Sequence, residues 1–184
     1  MTSQSIPWYP IYIHALPFGV LYLCFKCKLG IILALFLSTY TNKIDKKGRV
    51  SVPAPFRSAL ADQLHHGIVL FGSNQHACIE GFDWAKMDEI GTRMDHYDLF
   101  SDDQDDLATT IFGESVQLFF DGEGRVTLPL DLIEAANISD KATFVGLGRK
   151  FQIWSPDMFA RRKEQARGAA AERNLTIPKV GGAS

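Results

Sequence analysis

The sequence is poor in cysteine, lacks a net charge of either sign, and has no unbroken apolar run of membrane length. Three cysteines, Cys24, Cys27 and Cys78, make an odd count without a disulfide-rich composition. That excludes a small disulfide-stapled scaffold and fits a reducing cytosol. With 19 Lys and Arg against 21 Asp and Glu, the formal net charge is −2, so no global excess points to nucleic acid and any such surface must be local. The apolar stretch from Ile11 to Leu37 is interrupted by His14, Pro17, Lys26 and Lys28, which leaves no clean membrane span. The lysines fall in its middle, whereas a signal peptide carries its positive charge ahead of the apolar region. Cys24 and Cys27 form a lone Cys-x-x-Cys without the second ligand pair of a zinc site, so neither metal nor cofactor is expected. What remains is globular in composition, 46% hydrophobic and 22% charged over 184 residues, enough for one ordinary domain or two small ones.

What the chain does have is a repeat. "KIDKKGRVSVP", from Lys43 to Pro53, returns as "FFDGEGRVTLP", from Phe119 to Pro129. Asp45, Gly48, Arg49, Val50 and Pro53 align with Asp121, Gly124, Arg125, Val126 and Pro129. Past each proline comes a helical patch, Phe56, Leu60 and Leu64 in one copy and Leu132, Ile133 and Ala136 in the other. Then "GIVLFGSNQHACIEGF" matches "KATFVGLGRKFQIWSP", Gly72 aligning with Gly146 and Ile79 with Ile153. Each copy closes with a helix starting near Asp83 or Asp157, residues suited to a first turn. The pattern predicts a tandem duplication in an α+β, mainly β chain.

Local chemistry shapes each unit. In "DKKGR" and "DGEGR" an Asp opens a type I turn and a Gly follows three residues later, where left-handed backbone costs glycine least. Strands are expected on both sides of this hairpin, "STYTNKI" and "ESVQLFF" before it, "RVSVP" and "RVTLP" after it. Pro55 suits a first helical turn, with Gly67 or Asn137 as the stop. Units of about fifty residues are marginal alone, so the two should share one core. Between them, Asp102 or Asp103 is expected to cap a short helix ending near Gly113. The many carboxylates there lack the glycine and spacing of a calcium loop.

Charge separates the copies. From Asn42 to Ser58 the basic residues are Lys43, Lys46, Lys47, Arg49 and Arg57 against Asp45 alone, a local balance of +4. From Leu118 to Ala136 only Arg125 opposes Asp121, Glu123, Asp131 and Glu134, a balance of −3. The first edge suits phosphate, with Lys46 and Lys47 as backbone contacts and Arg49 able to reach a guanine edge. Asp45 and Gly48, like Asp121 and Gly124, are expected to position the turn, Asp45 by bonding its amides and orienting Arg49. A solvated strand edge guarded by lysines is the plainer reading of the cluster. Two others are a small hydrolase built from His65, His66, His76 and Cys78, for which no nucleophile motif is present, and an envelope protein anchored by residues 11–37.

The doubled Asp-x-x-Gly-Arg motif in "IDKKGRVSVPAPFR" and "DGEGRVTLP", followed by "VGLGRKFQIWSPDMF", resembles the MraZ family of bacterial transcriptional regulators over residues 35–160. The resemblance implies two AbrB-like swapped-hairpin units around one pseudo-symmetric β-barrel core with short flanking helices. It also implies ring-like homo-oligomers and binding of double-stranded DNA at direct repeats upstream of the division and cell-wall gene cluster, including the protein's own operon. Such a protein is not an enzyme, needs no membrane, and works in the cytoplasm at the nucleoid. The expected organisation is a surplus leader at 1–32, a first repeat at 35–86, an acidic helical connector at 87–111, a second repeat at 112–160, and a basic helix with a flexible tail at 161–184. Because the leader has no counterpart in the second copy, the working protein is expected to start near Leu33.

Overall fold

A computed structural model of the chain describes residues 34–61, 67–98 and 100–178. The apolar leader with Cys24 and Cys27, the expected start at Leu33, and Leu64, His65 and His66 lie outside the described residues. The first copy runs β1 (Thr39–Lys43), β2 (Arg49–Ser51), α1 (Ala54–Ala59), β3 (Gly67–Gly72), β4 (Ile79–Phe82) and α2 (Trp84–Met94). Helix α3 (Asp102–Ala108) and a π-helical turn (Thr109–Gly113) lead to the second copy. That copy repeats the order as β5 (Val116–Phe119), β6 (Arg125–Thr127), α4 (Leu130–Ala135), β7 (Lys141–Gly146), β8 (Phe151–Trp154) and α5 (Pro156–Glu172). Among the described residues no helix is long and apolar enough to cross a membrane.

The copies interleave. Six strands form an antiparallel sheet in the order β1-β7-β8-β4-β3-β5, while β2 and β6 pair separately. Each copy's first strand therefore lies on the other copy's third, β1 on β7 and β5 on β3, and β4 meets β8. The registers obey one pseudo-two-fold axis: Tyr40 opposite Phe144 is matched by Val116 opposite Leu70, and Lys43 opposite Lys141 by Phe119 opposite Gly67. Aligned residues meet each other at Val50 with Val126 and at Ile79 with Ile153, so the axis passes through both pairs. Neither copy completes a sheet alone, which is how units too small to be stable share one core. The six-stranded sheet ends at β1 and β5 and does not close into a hydrogen-bonded barrel, because β2 and β6 bond to each other, while β2 meets the chain that enters its turn at the isolated bridge of Ile44 with Val50 and through Asn42 Nδ2 donating to the Ser51 carbonyl.

Side-chain alternation explains the layers. Ile68 and Leu70 of β3, Ala142 and Phe144 of β7, and Phe151 and Ile153 of β8 point into the main core with Val50, Val126, Phe56 and Leu132. Phe36, Phe56 and Phe151 meet there with ring centroids 5.0–5.5 Å apart, two of the three contacts edge-on as aromatic quadrupoles prefer. Gly81 is forced to be glycine by this cluster, since a Cβ would lie 2.3 Å from the Phe151 ring across the strand pair. On the other face Met87 of α2 covers Val69, Phe71 and Phe82, so the boundary expected after residue 86 falls inside a packed helix. Met158 and Phe159 of α5 cover Val145 and Trp154 in the same way. Polar contacts join the two copies where β4 meets β8: Gln152 Nε2 donates to Glu80 Oε1 at 2.7 Å and Lys150 pairs with the same carboxylate.

Several helix ends differ from expectation. Ser101, not Asp102 or Asp103, caps α3 by accepting from the Gln104 amide, and the two aspartates occupy its first turn where they favour the helix dipole. Asp83 does cap α2, accepting from the Lys86 amide at 2.7 Å. In the second copy α5 starts at Pro156 with Asp157 in its first turn, as expected, and Ser155 takes the cap position. Asn137, left-handed at φ 52°, terminates α4 as expected. Gly67 does not stop α1, which ends at Ala59. It opens β3, where a Cβ would lie 2.6 Å from the Leu118 carbonyl oxygen, a close strand approach that local turn chemistry does not reveal.

Candidate functional site

The two Asp-x-x-Gly-Arg segments form turns with the same five hydrogen bonds. In the first, Asp45 Oδ1 accepts from the amides of Lys47 and Arg49, each at 2.9 Å, and Oδ2 accepts from Arg49 Nε at 2.7 Å. The Gly48 amide donates to the Asp45 carbonyl and the Asp45 amide to the Arg49 carbonyl, which closes a hairpin with Gly48 at φ 77°. In the second, Asp121 accepts from Glu123, the Arg125 amide and Arg125 Nε at 2.8–2.9 Å, with Gly124 at φ 73°. A short acid at the first position thus fixes both the turn and the arginine leaving it. Amide donation, chiefly from Arg49, and the guanidinium hold the Asp45 carboxyl below its ordinary range. The same bonds from Arg125 bring Asp121 down to about 2.

Strand pairing sets the turns side by side. With β2 and β6 antiparallel, Arg49 lies opposite Thr127 and Arg125 opposite Ser51. Each turn is also tied to the other copy: the Leu128 amide donates to the Gly48 carbonyl at 2.9 Å, and the Val52 amide to the Gly124 carbonyl at 3.1 Å. Their surroundings differ. Lys46 and Lys47 occupy the places of Gly122 and Glu123, so Arg49 has one acidic partner while Arg125 has two, Asp121 and Glu123. The Arg49 side chain is 43% exposed and that of Arg125 33%.

Of the expected phosphate contacts, Lys43, Lys46, Lys47 and Arg49 are all exposed around the first turn. Arg57 is not grouped with them. It is half-buried, its Nε donates to the Val52 carbonyl at 3.1 Å, and its guanidinium lies against Gly124 of the second turn. Lys141 joins the basic edge unforeseen, because β1–β7 pairing puts it directly across from Lys43. Nothing in the linear sequence links two lysines so far apart; only the exchange of first strands does. Of the hydrolase candidates, Cys78 is buried, and burial first, then Glu80, pushes its thiol up to about 12, so it carries no thiolate at neutral pH. His76 sits in the same loop with its ring 5.7 Å from that of Trp154.

Fold and site together define a class: one chain made of two interlocked copies of a β-rich unit, each presenting an Asp–Arg turn beside the other. The family model for MraZ protein, described as antitoxin-like, matches residues 35–108 and 111–176, and the chain belongs to the MraZ family. Transcriptional regulator MraZ of Gluconobacter oxydans is 40% identical, the match covering 81% of this chain and 96% of the relative. Transcriptional regulator MraZ of Rickettsia typhi is 41% identical over 79% of this chain and 98% of its own, and that of Rickettsia felis 42% identical over 78% and 96%.

Proposed function

We propose that this chain regulates transcription, as the names of its relatives say of them, and that it does so by binding double-stranded DNA. The observation that carries the reading is the pairing of two Asp-positioned arginines on adjacent strands, with Lys43, Lys46, Lys47 and Lys141 exposed around the first. In this reading Lys46 and Lys47 meet phosphate at the hairpin tip, Lys43 and Lys141 meet it along the strand edge, and Arg49 reaches a base edge. Asp45, Gly48, Asp121 and Gly124 hold the turns, and Arg125 makes a weaker contact because two acids already engage it.

The finer parts of the proposal are recognition of direct repeats upstream of the protein's own operon, a ring-like homo-oligomer, and action in the cytoplasm at the nucleoid without catalysis. Self-association is supported by apolar side chains left exposed at Leu35, Leu37, Phe119, Leu130 and Leu147. A barrel-like core is supported by Val50 and Val126, which carry the β2–β6 ribbon into the same apolar cluster as the six-stranded sheet. The test is a binding titration at several salt concentrations, comparing DNA from upstream of the gene's operon with unrelated DNA of equal length. Tighter binding of the upstream DNA, with affinity falling linearly on a log-log salt plot, is expected. Equal affinity for both, or no salt dependence, overturns the reading.

A further inference from the structure

We propose that Arg57 is a positioning residue: from the first copy it holds the Asp121–Arg125 turn of the second, so that the two turns meet DNA as one unit. The inference rests on the DNA-binding reading only for its consequence, not for its geometry. A Cβ built on Gly124 would lie 2.6 Å from Cζ and Nη1 of Arg57 and 2.7 Å from its Nε, so the guanidinium occupies the space that only glycine leaves open. That guanidinium is itself tethered, because Nε donates to the Val52 carbonyl while the Val52 amide donates to the Gly124 carbonyl. Val52 and Arg57 therefore grip Gly124 together.

The other turn shows why an arginine is needed here. At the aligned position the second copy has Ile133, whose Cδ1 lies 3.3 Å from where a Gly48 Cβ would stand. An apolar side chain supports the turn that carries Lys46 and Lys47, where a second cation would be repelled. A cation supports the turn that carries Asp121 and Glu123, where it is attracted. The support under each turn is thus matched in charge to it, and each comes from the opposite copy. Arg57 is spent on this contact, which separates it from the exposed lysines nearby.

Arg57→Met, which keeps the apolar stem and removes the guanidinium, is the variant to make, with Arg57→Ala alongside it in case the bulkier tip distorts the turn. Amide hydrogen exchange comes first and needs no DNA. The Gly124 and Arg125 amides are expected to exchange about tenfold faster, since loss of the Arg57 bond to the Val52 carbonyl and of the packing against Gly124 loosens the turn by about one hydrogen bond's worth, while those of Gly48 and Arg49 stay as in the parent. Affinity for upstream DNA should fall severalfold with an unchanged salt slope, and the fall should largely vanish in an Arg125→Ala background, since both changes disable the same turn. Unchanged exchange at the second turn, a salt slope reduced by about one as for a lost phosphate contact, or additivity with Arg125→Ala would each overturn the proposal. If the parent does not bind the DNA, the functional reading fails, and the exchange result still decides what Arg57 does.

Discussion

The Asp45–Arg49 and Asp121–Arg125 turns share every backbone and carboxylate hydrogen bond, yet they face solvent with opposite charge. Around the first stand Lys43, Lys46, Lys47 and, across the strand pair, Lys141; the positions related by the pseudo-two-fold axis are Phe119, Gly122, Glu123 and Gly67. The frame that aims each arginine is thus separable from the field that surrounds it. Duplication kept the frame, which local hydrogen bonds enforce, and let the field diverge, because exposed side chains cost the fold little. On the proposed function, two equal turns would read two equal half-sites, whereas unequal turns set side by side would divide the work between reading and support.

The largest expected effect breaks this comparison directly. Arg49→Ala should reduce upstream-DNA affinity by up to about a hundredfold, the worth of a good bidentate base contact, with oligomer size unchanged. Arg125→Ala should cost less, about tenfold or under, since Asp121 and Glu123 already engage that guanidinium. Competition binding on matched and unrelated DNA checks both. A greater loss from Arg125→Ala with an intact assembly would reverse the assignment of the two turns.

The next effect is on stability and arises beneath the turns. Gly48 and Gly124 both have positive φ, so alanine is strained at either, by about 1–2 kcal/mol. What a Cβ meets differs: at Gly48 it is the Leu128 carbonyl oxygen at 2.7 Å, a backbone atom, and at Gly124 it is the end of the Arg57 side chain. Arginine can swing aside and a strand carbonyl cannot. Gly48→Ala should therefore lower unfolding free energy in urea by about 1 kcal/mol more than Gly124→Ala, and equal costs would show that Arg57 is held as rigidly as backbone.

Much of this was legible in the sequence, for a physical reason. Hairpin turns are written locally, so the Asp, the Gly and the Arg of each copy could be read from five residues, as could the cap at Asp83 and the stop at Asn137. The match of Ile79 with Ile153 as aligned residues turned out to be a contact, because a two-fold axis pairs equivalent positions. Facts that depend on which copy pairs with which were not legible. Lys141 beside Lys43 and Gly67 squeezed against Leu118 follow from exchange of the first strands between copies, and Arg57 turned onto Gly124 follows from the pairing of β2 with β6. A count of charges along the chain placed Arg57 with the lysines; only the fold shows it facing the other way.

A smaller effect sharpens the contrast of the strand edges. Lys43 and Lys141 are directly opposed, like charges whose mutual repulsion a phosphate would relieve. Lys141→Ala should flatten the salt slope by about one unit and weaken matched and unrelated DNA alike, the signature of a single phosphate contact. Phe119→Ala, at the position equivalent to Lys43, removes no charge and should leave the slope unchanged at protein concentrations where the oligomer matches the parent's in size. A slope equal to the parent's for Lys141→Ala would remove this edge from the DNA surface.

The smallest effect compares the carboxylates that build the frame. Asp121 is held at about 2, below its ordinary 3.8, first by the Arg125 amide and then by the Arg125 guanidinium. A depressed carboxyl contributes its order fully above the ordinary value and loses it as pH falls through the folded value, so the second turn should stay formed from neutral pH down to the region between about 4 and 2. Because the amide bond is the larger cause and survives removal of the side chain, Arg125→Ala should raise the Asp121 midpoint only part of the way toward 3.8. Asp45 should respond to Arg49→Ala in the same direction, since the order of causes at that turn is the same. Carboxyl-carbon NMR titration reads both midpoints. If Arg125→Ala returned Asp121 fully to its ordinary value, the backbone would not be what holds the turn, and the two frames would depend on their arginines instead of merely aiming them.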